Sequence, residues 1–104
     1  MISQSDIEQV ARDIGKAAHA ERVILFGSYA NGRATESSDV DLLVIAESNQ
    51  PRHKRSRELY RQIYPNRFAM DIIVYTPDEV SRGSRTPVSF VSQVLREGNS
   101  VYVR

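Results

Sequence analysis

The sequence predicts an α/β (α+β) fold, in which a small mixed β-sheet is flanked by helices. Three observations predict it. Apolar residues recur at helical spacing near the N-terminus, several short β-rich apolar runs follow, and helix start or stop signals separate these runs. The 104 residues match the length of one domain. Residues 1–104 are therefore expected to form a single unit of helices packed on a sheet.

The first half of the chain is expected to contain two helices and two strands. A capping box formed by Ser5 to Glu8 predicts a helix that runs to about Ala20, with an apolar face at helical spacing. A glycine follows the next apolar run, and the run after that is continuously apolar, as expected for a strand covered on both faces. The predicted elements are a strand at Arg22–Phe26, a short helix at Tyr29–Asn31 and a strand at Val40–Ala46.

The second half is expected to add three helical segments and two strands. Pro51 precedes a basic helix that ends at Pro65 and Asn66, and a second capping box begins at Thr76. The predicted elements are a helix at Arg52–Tyr64, a strand at Ala69–Tyr75, a helical turn from Thr76, a loop over residues 81–87, a helix at Ser89–Glu97 and a strand at Val101–Val103. The resulting order is αβαβαβααβ.

Composition excludes several classes of protein. The chain has 14 basic and 13 acidic residues, so the net charge of +1 disfavours nucleic-acid binding by overall charge. It has no cysteine, which excludes disulfides and thiolate metal sites, and two histidines are too few for a His-rich zinc site. No apolar run is long enough to span a membrane and the N-terminus is polar, so a cytoplasmic protein without a signal peptide is expected.

Three aspartates stand inside or beside apolar strands, where like charges are unfavourable. Asp39 and Asp41 flank one valine, and because side chains alternate along a strand, both are expected to point the same way. Asp71 lies in the next predicted strand and can join them if the two strands are neighbours. Carboxylates grouped in this way favour Mg²⁺, and two such ions would suit an in-line phosphoryl displacement.

A Gly-Ser pair supplies the second half of the predicted site. Gly27 and Ser28 follow the first strand, and ten residues separate Ser28 from Asp39. Glycine allows close approach of the backbone to a phosphate, and the short helix that follows offers free N–H groups. Neither signal is specific alone, but Gly-Ser, ten residues, Asp-x-Asp and a later strand aspartate form a restrictive combination.

This combination resembles the minimal nucleotidyltransferases of the DNA polymerase beta superfamily. The stretch "FGSYANGRATESSDVDLLV" carries the Gly-Ser and Asp-x-Asp signature, and "MDIIVYTPDEV" and "SFVSQVLREGNSVYV" are also similar to this group. The resemblance implies the nucleotidyltransferase fold and the transfer of a nucleoside monophosphate to a hydroxyl group. The expected donor is ATP, and the expected group transferred is AMP. It implies that Asp39 and Asp41 bind both metal ions. It also implies that Asp71 binds one ion and either is the general base or lies next to it.

The resemblance also implies a partner. Many such small proteins pair with a helical HEPN protein in toxin-antitoxin modules, and some neutralise it by adding AMP to a tyrosine. Two other functions stay open: a non-catalytic antitoxin that acts by contact with a HEPN-like protein, and a catalytic subunit that modifies tRNA or a small molecule with a separate substrate-binding chain. The chain could also form a homo-oligomer.

Two groups of basic residues have open roles. Asn31 stands where many relatives have a basic residue, so phosphate anchoring falls to Ser28, to the backbone or to Arg33. Residues 52–61, the basic segment, form either a solvated helix face or a docking surface for an acidic partner. The basic residues of this segment are Arg52, Lys54, Arg55, Arg57 and Arg61, with Arg67 soon after. No aromatic platform accompanies them, which disfavours single-stranded nucleic acid.

Overall fold

The computed structural model describes residues 1–63 and 68–104, and these residues fold as the predicted mixture of helices and strands. The helices are α1 (Gln4–Ala18), α2 (Ser28–Asn31), α3 (Arg57–Gln62), α4 (Pro77–Gly83) and α5 (Phe90–Glu97), with a 3₁₀ turn at Arg52–Lys54. The strands are β1 (Arg22–Phe26), β2 (Val40–Ile45), β3 (Met70–Tyr75) and β4 (Asn99–Val103). The fold class and the element order αβαβαβααβ are confirmed.

The four strands form one mixed sheet in the order β3-β2-β1-β4. Strand β2 runs parallel to β3 and antiparallel to β1, and β1 is antiparallel to β4. Every residue of β2 except Asp41 is buried, as expected for an interior strand covered on both faces. Strand β2 is thus the scaffold from which the predicted aspartates project.

The two faces of the sheet are covered unequally. The face that packs against α1, the α1 face, carries most of the core, including Ile7 and Ile14 of α1 and Leu25 and Leu42 of the sheet. The opposite face, the α5 face, has a smaller buried cluster. That cluster consists of Ile24, Leu43, Ile45 and Val94. On the α5 face, side chains near the margin of the sheet remain accessible.

The boundaries of α1 and α4 differ from the sequence predictions. Ser3, and not Ser5, caps α1, since its Oγ accepts a hydrogen bond from the N–H of Asp6 at 3.1 Å. Both serines have an acid three residues later, so the sequence offered two starts and the helix uses the earlier one. Helix α4 begins with the predicted capping box at Thr76 but continues to Gly83, which places the start of the predicted 81–87 loop inside a helix.

The predicted basic helix is divided into two parts. A 3₁₀ turn over Arg52–Lys54 precedes α3 at Arg57–Gln62. The backbone of Arg55 closes the turn through its N–H and the carbonyl of Arg52, at 3.2 Å. The predicted helix end at Tyr64, its stop at Pro65 and Asn66, and the basic residue Arg67 lie outside the described residues. No helix in the described ranges has the length and hydropathy needed to cross a bilayer.

Candidate active site

The sheet register brings two of the three predicted acids side by side. Asp41 is the second residue of β2, and its Cα partner on the parallel strand β3 is Asp71. On its other side Asp41 pairs with Phe26, the last residue of β1. Asp39 precedes β2 by one residue. The predicted condition that the strands of Asp41 and Asp71 are neighbours is therefore met.

Strand alternation places Asp41 and Asp71 on the α5 face. Leu43, two residues after Asp41, belongs to the buried cluster of that face, and Ile73, two residues after Asp71, packs against the same cluster. Because side chains two apart in a strand share a face, both aspartates stand at the margin of the less covered side. Asp41 is partly exposed, whereas Asp39 and Asp71 are exposed. All three residues are therefore at least partly accessible to solvent.

Burial and the neighbouring acids both act on the carboxyl group of Asp41. Burial, followed by the negative charges of Asp71 and Asp39, raises the pKa of the Asp41 carboxyl above its ordinary value of 3.8. This is the response expected when a carboxylate loses water and has acidic neighbours. The three predicted acids thus form one electrostatic group, and a bound cation would lower the cost of keeping them ionised together.

Gly27 packs directly against the carboxylate of Asp41. It adopts φ +75° and ψ −153°, a conformation that is essentially restricted to glycine. A Cβ built at this position would collide with Oδ2 of Asp41 and lie 3.2 Å from its Cγ. The turn therefore requires glycine for its backbone shape and for the space that Asp41 occupies.

Ser28 begins the short helix α2, and Arg33 lies just beyond its end. Ser28 is the first residue of α2, whose N–H groups at Ala30 and Asn31 bond the carbonyl of Gly27 at 3.0 and 3.2 Å. The N–H groups that precede them stand at a helix start, where α-helices lack internal acceptors. Arg33 follows α2, with its backbone N–H bonded to Ser28 and its side chain exposed. Their predicted phosphate contacts remain predictions.

The donor set fits Mg²⁺ in its chemistry. Carboxylate oxygens are the ligands that Mg²⁺ takes from proteins, together with water and substrate phosphates. Within residues 1–63 and 68–104, no three His, Asp or Glu side chains are already arranged as a metal-binding group. Asp39, Asp41 and Asp71 are the residues that would hold the ion.

A cavity of about 260 Å³ opens beside the Gly-Ser turn, between α2 and α5. Its lining includes Phe26 and Gly27 from the end of β1, and Phe90 and Gln93 from α5. The Phe26 and Phe90 rings meet edge to face at 5.4 Å. The sequence did not indicate this cavity, because the position of α5 across the sheet has no local signal.

The basic segment does not form one solvated face. The side chain of Arg55 is only 8% exposed, and its Nη1 lies 2.5 Å from Oε1 of Glu79. It also donates hydrogen bonds to the carbonyls of Gln50 and Val74. Arg52 lies over the ring of Tyr75, 4.0 Å from its centre. Arg55 is thus excluded from any docking surface, and Lys54, Arg57 and Arg61 remain exposed.

Comparison with known proteins agrees with this geometry. The model of the nucleotidyltransferase domain family matches residues 6–68. The chain is 44% identical over 72 residues to a Methanocaldococcus jannaschii protein named "Putative protein adenylyltransferase MJ1305", covering 64% of this chain and 48% of that protein. The chain therefore spans about half the length of that relative.

A second relative and a solved structure match more evenly. "Putative protein adenylyltransferase MJ0141" of the same archaeon is 31% identical over 98 residues, which cover 94% of this chain and 90% of that protein. The crystal structure of "a putative nucleotidyltransferase from Sulfolobus solfataricus" superposes with a TM-score of 0.65 at 20% identity, covering 96% of this chain and 79% of that one. This structural match supports the nucleotidyltransferase fold. Since the family model covers more than half of the sequence, the chain belongs to the nucleotidyltransferase domain family.

Proposed function

We propose that this chain is a Mg²⁺-dependent nucleotidyltransferase that transfers AMP from ATP to a hydroxyl group of a partner protein. The observation that carries the proposal is the juxtaposition of Asp41 with Asp71 on adjacent strands, with Gly27 packed against Asp41. Strand β2 is otherwise buried, and placing the acid Asp41 at its accessible end is energetically unfavourable. A site for a cation and a polyphosphate explains why that cost is retained.

Each residue group has a part in this reaction. Asp39 and Asp41 would hold Mg²⁺, and the bound ion would neutralise charge on the phosphates during transfer. Gly27, Ser28 and the start of α2 would hold the departing pyrophosphate through backbone N–H groups, with Arg33 as an added cation. Asp71 would accept the proton of the attacking hydroxyl, or orient that hydroxyl, on the side of β3.

A protein acceptor is supported by the names of the two archaeal relatives, both of which describe protein adenylyltransferases. The described residues form little more than the sheet and its covering helices, so a second chain would present the acceptor. By the resemblance of its motifs, we propose a HEPN-like helical protein as that chain and an antitoxin role for this one.

The test is intact-mass spectrometry of this chain and a co-purifying partner after incubation with ATP and Mg²⁺. We expect the partner to gain one or more AMP masses, and we expect Asp39→Asn to abolish the gain. Glu47→Gln is the matched control, because it removes an exposed carboxylate just beyond the other end of β2. A stable complex without any mass change would instead support an antitoxin that acts by contact.

A further inference from the structure

Strand β3 lies at one edge of the sheet, and side chains hydrogen-bond three of its outward-facing backbone groups: the carbonyls of Met70 and Val74 and the N–H of Ile72. The carbonyls of Ala69 and Tyr75 face β2, since they accept hydrogen bonds from the N–H groups of Val40 and Ala46 at 3.1 and 3.0 Å. Because orientation alternates along a strand, the backbone groups of residues 70, 72 and 74 face away from β2. An edge of this kind would otherwise need water or another strand.

Tyr60 of α3 supplies the partner for two of these groups. Its hydroxyl oxygen accepts a hydrogen bond from the N–H of Ile72 at 2.8 Å and donates to the carbonyl of Met70 at 3.4 Å. These two groups lie on either side of Asp71 in the sequence. One hydroxyl therefore brackets the backbone of the third acid of the site.

The position of the hydroxyl is itself fixed by packing. The Tyr60 ring packs against the core of the α1 face, and Leu59 beside it in α3 is buried. Burial raises the pKa of Tyr60 and the charges of Asp71 and Asp39 add to this rise, against a smaller lowering by the hydrogen bond from the N–H of Ile72. The hydroxyl thus stays protonated at neutral pH, as its bond to the Met70 carbonyl requires, and it lies within the field of the acids.

We propose that Tyr60 is a positioning residue that holds Asp71 in register with Asp41, so that their carboxylates can share one cation. The proposal rests on the nucleotidyltransferase function proposed above. In this role Tyr60 would need no contact with the nucleotide or the metal ion. It acts on the backbone of a ligand residue, and outer-shell partners of this kind affect metal affinity and activity by about 10- to 100-fold.

The test compares Tyr60→Phe with Tyr102→Phe. Both changes remove one hydroxyl and keep the ring, but Tyr102 lies on β4, at the opposite edge of the sheet. Free Mn²⁺ measured by electron paramagnetic resonance gives the affinity of the site for a metal probe without any turnover. We expect Tyr60→Phe to bind Mn²⁺ about tenfold more weakly and Tyr102→Phe to match the wild type. AMP transfer should show a lower kcat with little change in KM for ATP.

A double-mutant cycle separates positioning from general stability. In an Asp71→Asn background, Tyr60→Phe should no longer alter Mn²⁺ affinity, because the ligand that it positions is absent. Wild-type Mn²⁺ affinity and kcat in Tyr60→Phe would overturn the positioning role alone, as would an equal loss in the Asp71→Asn background. A wild-type chain that neither binds Mn²⁺ nor transfers AMP would overturn the proposed function, and this role with it.

Discussion

At the scale of single residues, the site depends on a contact between a glycine and an acid. The sequence predicted that Gly27 lets backbone approach a phosphate, whereas in the structure the atoms nearest to its missing Cβ belong to Asp41. The grouping of Asp41 with Asp71 was predictable from the sequence, because each acid stands in an apolar strand and the two meet if those strands are neighbours. The contact between Gly27 and Asp41 was not predictable, since it depends on how β1 and β2 pair.

Replacement of Gly27 by alanine should destabilise the protein more than the same change at Gly32. Both glycines have positive φ, but a Cβ at Gly32 would have no other atom within 4 Å, whereas one at Gly27 would strike Asp41. We expect a loss of about 3 kcal/mol for Gly27→Ala and about 1 kcal/mol for Gly32→Ala, measured by urea unfolding. Equal losses would contradict the packing role of Gly27.

Asp41→Asn should abolish AMP transfer and yet stabilise the fold in the absence of divalent metal. The pKa of Asp41 is raised in the folded state, so the folded chain holds its proton to higher pH than the unfolded chain does. Wild-type stability should therefore fall as pH rises above about 3.8, while the asparagine variant lacks this loss. Urea unfolding of both chains between pH 3 and pH 7 in EDTA tests this. A difference in stability between the two chains that does not widen with pH would show that neither burial nor the neighbouring acids destabilise the ionised Asp41.

At the scale of elements, the sequence predicted the number, type and order of helices and strands, because hydrophobic periodicity and capping signals are local. Local signals did not show which charged side chains would be buried. Arg55 lies in a run of basic residues that is typical of a solvated helix face, yet it is buried against β3 and α4. Burial of an arginine depends on an acid supplied by a distant element, here Glu79.

The Arg55–Glu79 pair should therefore contribute to stability in a way that surface pairs do not. The hydrogen bond from Arg55 lowers the pKa of Glu79 to about 2. We expect Arg55→Gln to cost about 2 kcal/mol at pH 7. The control is Arg82→Gln, which breaks an exposed pair with Asp78 at 2.9 Å and should cost less than about 0.5 kcal/mol.

The same pair has a definite pH dependence. A carboxyl with a lowered folded pKa stabilises the fold above its unfolded value of 4.5, and this contribution is lost as the pH falls toward about 2. The difference in unfolding free energy between the wild type and Glu79→Gln should thus shrink over that interval. A difference that stays constant from pH 5 to pH 2 would show that the pair does not carry the effect.

At the scale of the whole molecule, the two halves of the chain differ in charge. Residues 1–51 carry 4 basic and 8 acidic groups, whereas residues 52–104 carry 10 and 5. The acids of the first half include Asp39 and Asp41, which a metal ion would neutralise. With Arg55 committed to Glu79, the exposed basic residues of the basic segment include Lys54 and Arg57. These are the residues that an acidic surface on a partner would meet.

Charge reversal on this surface should slow association with the partner and leave the fold intact. We expect Lys54→Glu combined with Arg57→Glu to lower the association rate and to flatten its dependence on salt, because exposed charges mainly steer the encounter of two proteins. A matched double reversal at Arg12 and Lys16, exposed residues of α1, alters the net charge by the same amount. Surface plasmon resonance at two salt concentrations gives both rates. If the two double variants slow association equally, net charge governs the encounter, and the basic segment is only a solvated surface.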